Sequence, residues 1–462
     1  MTPSSVSAAI PPAVRRLCEK IRHGGFRAWI VGGCVRDLVL ADQRGDRASG
    51  VRNDWDIATD ARPEDVQRIF PRVIPTGIQH GTVTVLEGGE AYEVTTLRGE
   101  SAYSDGRRPD SVHFVNDITA DLARRDFTIN AIALDPETDA LIDPFDGVAD
   151  LRARTIRAVG EASERFAEDG LRVLRAARFV ATLEMELAPE TARAIEPSLG
   201  SYRKVSAERI RDEWTKTMKA REPSRAFEVM KDHGLLAITA PEMMESVGCE
   251  QNKFHAFDVW GHAMRCLDGC PKDPVLRMAG LLHDVGKPRS REWSDKTSDY
   301  TFYEHERIGA EMADPLLERL RFSNDERRRI VALVRHHLVC WDPSWTDAAV
   351  RRWLRRVGPE IVQDLYELNR ADVRAKGRDA TEDLARIDGL VAHVERVLAA
   401  GAAFGVKDLA IGGGDLKALG LPPGPLFGEI LRKLLDEVVD DPEKNRRETL
   451  LRRAAELAGA RA

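Results

Sequence analysis

Asp54 and Asp56 stand one residue apart in the run DWDIATD. Along a strand successive side chains alternate faces, so positions i and i+2 point the same way and these two carboxylates can grip one cation. With no imidazole or thiolate beside them on the strand they suit Mg²⁺, which fills its remaining positions with water and substrate phosphates. Just upstream, Trp29, Ile30 and Val31 read as a short strand that breaks at Gly32-Gly33 and resumes as a helix over 34–40. Paired glycines let a backbone approach a triphosphate, at the start of a helix whose amide dipoles favour anions. Phosphoryl transfer requires those two parts together.

Three further stretches carry grouped polar residues. The run LARRDFTINAIALD, 122–135, predicts a helix. On it Arg124 and Arg125 can neutralise phosphates, Asp126 can accept from a hydroxyl or orient an arginine, and Asn130 is a neutral bidentate partner one turn on. The run EDGLRVLRAARF, 168–179, predicts a second helix, with Asp169, Arg172, Arg175 and Arg178 recurring every three residues along one polar edge. A carboxylate beside a guanidinium presents an acceptor and a planar fork of donors, and such a pair can read the edge of a nucleobase as another base would. From about residue 254 the chemistry changes. His262, His283, Asp284, His305, His336, His337 and Asp372 fall in segments that read as amphipathic helices, so distant ligands can converge in a bundle. Imidazole plus carboxylate suits a transition-metal site that activates water.

GGCVRD followed by DWDIAT resembles the nucleotidyltransferase head of the class II tRNA CCA-adding enzymes and the bacterial poly(A) polymerases. The resemblance implies that Asp54 and Asp56 hold the catalytic Mg²⁺ ions and that the nucleotide meets the Gly32-Gly33 turn, at Gly33, and Arg36. By the same resemblance RRDFTINA matches a motif for triphosphate and ribose, which brings in Arg125, Asp126 and Asn130. EDGLR matches a motif in which Asp169 and Arg172 choose CTP or ATP without a nucleic-acid template, and Arg175 and Arg178 then meet phosphate. A polar loop at 100–113 occupies the place of the family's flexible loop, linked to the switch from adding C to adding A. The order H, HD, D resembles the HD phosphohydrolase domain, with His262, His283, Asp284 and Asp372 as its ligands for a transition metal such as Ni, Mn, Co or Fe. Glu93, on the second of two predicted strands that follow Asp56 within the head, is either a third carboxylate facing the metals or an exposed strand glutamate.

The 462 residues exceed what one core organises, and a prior of about 100 to 200 residues per domain predicts several. The expected order is a head at 1–150, a helical neck at 151–245, an HD domain at 246–380 and a helical tail at 381–462. The expected class is α+β, a small mixed-sheet head followed by helices. A net charge of −7 lacks the basic average of a nucleic-acid binder, so RNA contact has to come from local arginine clusters. The six cysteines form no disulfide-like or zinc-like frame, no leader is legible and no run of about 18 apolar residues occurs, which points to a reducing cytoplasm and no membrane.

The expected activity is template-independent CCA addition to the tRNA 3′ end from CTP and ATP, the tail meeting the tRNA body. A poly(A) polymerase, or an enzyme adding only CC or only A, shares these motifs. An HD phosphohydrolase with an RNA-binding head has no use for Asp54 and Asp56 beside a full arginine set, and a noncatalytic RNA-binding protein no use for carboxylates that repel phosphate.

Overall fold

The computed structural model describes residues 10–44, 55–101, 111–401 and 403–459. Asp54 and the 102–110 part of the polar loop lie outside the described residues. The chain divides into two compact units, Met1–Thr239 and Ala240–Ala462.

Among the described residues the first unit holds eleven strands: β1 Ala28–Val31, β2 Asp56–Thr59, β3 Val73–Gly77, β4 Thr82–Glu87, β5 Glu90–Thr96, β6 Arg98–Ser101, β7 Ser111–Phe114, β8 Ala133–Leu134 and β9 Leu141–Ile142, then the parallel pair β10 Thr155–Ile156 and β11 Glu186–Leu187. Seven form one sheet in the order β3-β4-β5-β2-β1-β8-β9. Within it only β2 and β5 run parallel, so the sheet is mixed, as expected. All four residues of β1 are buried, which explains its unbroken apolar run. Strand β3 adds a partner to the β4–β5 hairpin that the sequence reading lacked. The helix after Gly32 spans Gly33–Arg44, four residues beyond its expected end.

Three stretches differ from expectation. Residues 122–135 are not one helix: the helix Ile118–Ala123 stops, a 3₁₀ turn covers Thr128–Asn130, and β8 follows. Two competing bonds explain the break. Asp126 Oδ1 takes the Phe127 amide at 2.8 Å, and Thr128 N donates to Arg157 O at 2.9 Å, so the backbone is drawn away from a helical ladder. Residues 168–179 are likewise two helices, Ala162–Glu168 and Leu171–Thr182, with Asp169 extended between them at φ −141°, ψ 105°. Gly170 is needed at that junction because a Cβ there would lie 2.3 Å from Ser201 O. Third, the run IDPFDGVADL, 142–151, which by its Gly and Pro content reads as a turn-rich connector, joins the end of β9 to a helix, Gly147–Ala153, whose first amides bond to Asp143.

Among the described residues the second unit is helical apart from one hairpin, Arg291–Ser294 against Asp299–Phe302. Two of its helices are capped by aspartates. Asp258 accepts from Gly261 N at 2.8 Å to start Val259–Gly269, and Asp273 accepts from Leu276 N at 2.8 Å to start Pro274–Leu282. Ser323 and Glu326 form a capping box before Asn324–His336. Beyond the helix Thr381–Ala399, the tail helices Pro425–Asp440 and Arg447–Gly459 share a core that includes Leu416, Ile430, Leu434 and Leu450.

Candidate functional site

The turn between β1 and the helix Gly33–Arg44 opens the first site. Gly32 has φ +82°, and a Cβ on it would lie 3.1 Å from Arg125 Nη1 and 3.3 Å from Asp56 Oδ2. A side chain at this position would therefore press a guanidinium and a carboxylate apart, so glycine keeps both facing the turn. Asp56 heads β2, opposite Val31 of β1 and beside Glu93 of β5. Register partners on neighbouring strands share a face, so exposed Glu93 stands on the Asp56 side of the sheet. Half-buried Asp56 with Glu93 beside it, above a turn left clear by glycine, fits a hard divalent cation.

A cleft of about 550 Å³ extends from this turn and is lined by Gly32, Gly33, Arg36, Asp56, Arg125, Asp126, Asn130, Asp169, Arg172, Arg175 and Arg178, all of them named from the sequence. Arg124, Leu171, Phe179, Arg209 and Lys216 complete the wall. Seven arginines and a lysine face three carboxylates, so the cleft suits a polyanion although the whole chain is acidic.

One hydrogen-bonded chain ties the sequence motifs together. Arg36 Nη1 donates to Asn130 Oδ1 at 2.8 Å, Asn130 Nδ2 donates to Asp126 Oδ1 at 3.0 Å, and Arg175 Nε donates to Asp126 Oδ2 at 2.7 Å. Arg175 also lies 3.9 Å from Glu213, which accepts from Arg178. Burial by itself would raise the Asp126 pKa, but the Arg175 guanidinium and the Asn130 amide bring it down to about 2. Glu213, buried in the same way, is also held below the usual range by Arg178, Arg175 and Lys216. Burial lowers the pKa of Arg178, whereas for Arg175 the two carboxylates outweigh burial and raise it. Arg178, Arg36 and Arg175 also stand over the Phe179 ring at 4.0, 5.4 and 5.4 Å. Beside the turn, burial pushes the Cys34 thiol up to about 12, which removes it as a nucleophile.

Asp169 and Arg172 both reach the cleft, but they do not pair with one another. Asp169 takes a bidentate bond from Arg209, at 3.1 and 2.7 Å. Arg172 donates through Nη1 and Nη2 to Glu168 at 2.5 Å and to the carbonyls of Arg165 and Arg124 at 3.0 and 2.9 Å. The reason is local: with Asp169 extended, helical i, i+3 spacing does not apply to it. Arg124 and Arg125 share buried Asp121, at 2.9 and 3.4 Å.

The second site lies in the second unit. His262 Nε2 is 2.9 Å from Asp372 Oδ1 and 3.3 Å from Asp284 Oδ2, and His283 Nε2 is 3.1 Å from that same oxygen of Asp284. These are the four residues named from the sequence. His305 Nε2 and His337 Nε2 approach the other oxygen of Asp284, at 3.3 and 3.6 Å. Asp284 is thus shared by two buried ligand triads, His262-His283-Asp284 and Asp284-His305-His337.

The other ring nitrogens of His283, His305 and His337 face the carbonyls of Gly280, Phe302 and Val334, at 2.9, 2.6 and 2.8 Å, which aims each Nε2 at the cluster. Asp284 Oδ2 is buried and accepts no well-formed hydrogen bond, although Lys287 Nζ lies 2.6 Å away. Burial would lower the pKa of His283, yet Asp284 and Asp372 push it up to about 10. Four imidazole Nε2 atoms and two carboxylates converge within a few ångströms, and such a buried donor set fits divalent metal.

Sequence reasoning missed Glu213, Lys216 and the part of Phe179 in the cleft wall; His305 and His337 were among the residues expected to converge but stood outside the four-ligand set that the resemblance implied. Glu213 had a signal: it falls in the buried stripe Ile210, Glu213, Trp214, Thr217, where a charge has to be paired. His305 and His337 had only their residue type. His336, beside them, is outside both triads.

Family models match three parts of the chain: a Poly A polymerase head domain at 28–157, a probable RNA and SrmB-binding site of polymerase A at 184–246, and an HD domain at 254–377. A CCA-adding enzyme of Lactobacillus johnsonii is 47% identical over 50% of this chain and 55% of its own length, so that match spans about half of each protein. A CCA-adding enzyme of Limosilactobacillus fermentum is 33% identical over 99% of both chains. The crystal structure of the Bacillus stearothermophilus CCA-adding enzyme in complex with CTP matches with a TM-score of 0.72 and 29% identity, covering 98% of this chain and 99% of that one.

Proposed function

The chain belongs to the CCA-adding enzyme family, and from that premise we propose that it builds the CCA end of tRNA from CTP and ATP without a nucleic-acid template. The single observation that supports this best is the cleft itself. There the Gly32-Gly33 turn, Asp56 and the chain from Arg36 through Asn130 and Asp126 to Arg175, Glu213 and Arg178 meet in one place.

In this reading Asp54 and Asp56 hold Mg²⁺, which when bound supplies charge stabilisation for the attacking and leaving oxygens. Arg36, Arg125, Arg175 and Arg178 orient the triphosphate in line, and Asp126 with Asn130 fixes two of those arginines and offers polar groups to the ribose. The terminal hydroxyl of the tRNA attacks the α-phosphorus, and pyrophosphate leaves. Asp169 and Arg172 select the base, with Arg209 locking the Asp169 carboxylate in one orientation. The head and neck, 1–245, do this chemistry in the cytoplasm, while the tail, 381–462, meets the tRNA body largely through phosphate and shape.

A second activity is supported by the shared-aspartate cluster. His262, His283, Asp284, His305, His337 and Asp372 would hold transition-metal ions that activate water, and the centre hydrolyses phosphoesters.

The test supplies tRNAs ending before the CCA, after C and after CC with CTP and ATP, separately and together. Ordered addition that stops after one A is expected; a growing A tail on unrelated RNA would make the protein a poly(A) polymerase. Asp56→Ala should abolish addition and spare phosphoester hydrolysis, while Asp284→Ala does the reverse. Loss of both activities in either variant would contradict two separate centres.

A further inference from the structure

Phe179 belongs to the helix Leu171–Thr182 and is 3% exposed, yet its ring forms part of the cleft wall. Three guanidinium groups stand over that ring, Arg178 at 4.0 Å from its centre and Arg36 and Arg175 each at 5.4 Å. They reach it by different routes. Arg175 precedes Phe179 by four positions, so helix geometry alone stacks the pair. Arg178 is the immediate neighbour, and adjacent helical positions do not face one another, so its long stem has to fold back over the ring. Arg36 comes from another element, the helix Gly33–Arg44.

Ion pairing by itself does not explain this grouping. Arg36 pairs with Asp37, Arg175 with Asp126 and Arg178 with Glu213. Among the described residues no carboxylate touches all three guanidinium groups, whereas one ring does. The three side chains are 12%, 30% and 12% exposed, so water screens their mutual repulsion only weakly. The negative face of an aromatic ring attracts a cation within about 6 Å, most strongly where water is excluded. A guanidinium stacked in this way keeps its in-plane N–H fork available to phosphate. The ring is itself held, because buried Phe127 meets it at 5.7 Å and 88°.

We propose that Phe179 is a positioning residue for nucleotidyl transfer, its ring face gathering Arg36, Arg175 and Arg178 into one surface before a triphosphate arrives. The proposal rests on the reading of the cleft as the triphosphate site, and it adds how three like charges are kept together there. Arginines that are already in place spend no binding energy on being collected, so the ring acts on affinity for the triphosphate through them. A leucine would supply the packing without the attraction, which lets shape and charge be separated.

Fluorine withdraws electron density from the ring face and leaves its shape nearly intact. Mono-, di- and trifluorophenylalanine are placed at position 179 of the full-length protein, and binding of inorganic triphosphate with Mg²⁺ is measured by calorimetry at fixed ionic strength. Kd should rise with each added fluorine, to about tenfold at the third, and Phe179→Leu should weaken binding at least as much. KM for CTP and for ATP should rise by the same factors with their ratio unchanged, while KM for tRNA stays constant.

A flat Kd across the fluorine series would overturn the proposal even if Phe179→Leu binds poorly, since packing would then explain the loss. An equal rise in KM for tRNA would mark general damage to the fold and overturn it too, as would a natural protein that binds no triphosphate. Addition of C and A to tRNA is scored separately: if it is absent while triphosphate binding follows the fluorine series, the CCA-adding reading fails and the role of the ring stands.

Discussion

Replacing Glu213 with glutamine keeps the shape of the side chain and removes the charge that balances Arg178 and Lys216 and that helps Asp126 to balance Arg175. The carboxylate is 2% exposed, accepts from Arg178, and lies 3.9 Å from Arg175 and 3.1 Å from Lys216. Breaking a buried pair by deleting one partner costs about 3–5 kcal/mol, and the retained amide oxygen places this variant at the low end, about 3 kcal/mol. For a folding unit of the size of Met1–Thr239, each kcal/mol moves the midpoint by about 2–4 °C, so calorimetry should show a fall of roughly 6–12 °C.

The effect on catalysis has two opposing parts. Loss of a negative charge raises the potential of the cleft and by itself would tighten triphosphate binding. Loss of the carboxylate that fixes both guanidinium planes loosens an in-line clamp, and one good charge-assisted bond, worth about 1.5–3 kcal/mol, outweighs a screened charge at the cleft wall. KM for CTP and for ATP should therefore rise together, each about tenfold, with their ratio unchanged. Steady-state addition to tRNA ending in C and in CC measures both. A fall in KM, or a change in the CTP to ATP ratio, would refute the assignment of Glu213 to the phosphate clamp.

Gly32→Ala should lower kcat by at least about a hundredfold through displacement of Asp56 and Arg125, while single-turnover assays beside thermal melts show a stability loss of only about 1–2 kcal/mol. Acid titration should expose Asp126. Its folded pKa of about 2 lies below the ordinary 3.8, so its stabilisation, about 2 kcal/mol, is present above pH 4 and disappears as pH falls toward 2. Denaturant melts in that window should lose the pH dependence in Asp126→Asn; a variant that keeps the slope contradicts the assignment. In the second unit, Asp284→Ala should empty the cluster of divalent metal by elemental analysis, whereas His305→Ala with His337→Ala should remove only part of it. Equal losses would argue against two triads.

Much of the site was legible because its motifs are local. Gly32-Gly33, Asp56, Arg125-Asp126 and His283-Asp284 each express a demand made within a few residues: a tight turn, a strand face, adjacent ligands. Their spacing carries that demand whatever the rest of the chain does. The separate strands of the head and the helical remainder were legible from periodicity in the same way, whereas the mixed sheet was implied by the family resemblance.

The pairing across elements was decided only in three dimensions. Asp169 meets Arg209 rather than Arg172, although 40 positions separate the first pair and three the second. Glu213 reaches Arg178 across 35 positions, and His337 joins His305 across 32. Helix packing and capping set those partners, and neither leaves a fixed spacing in the sequence. Even the 122–135 run, helical by pattern, was diverted when the Arg157 carbonyl took the Thr128 amide. Sequence determines which side chains are available within one turn or strand; which of them meet depends on surfaces brought together from distant parts of the chain, where burial makes an unpaired charge too costly to leave.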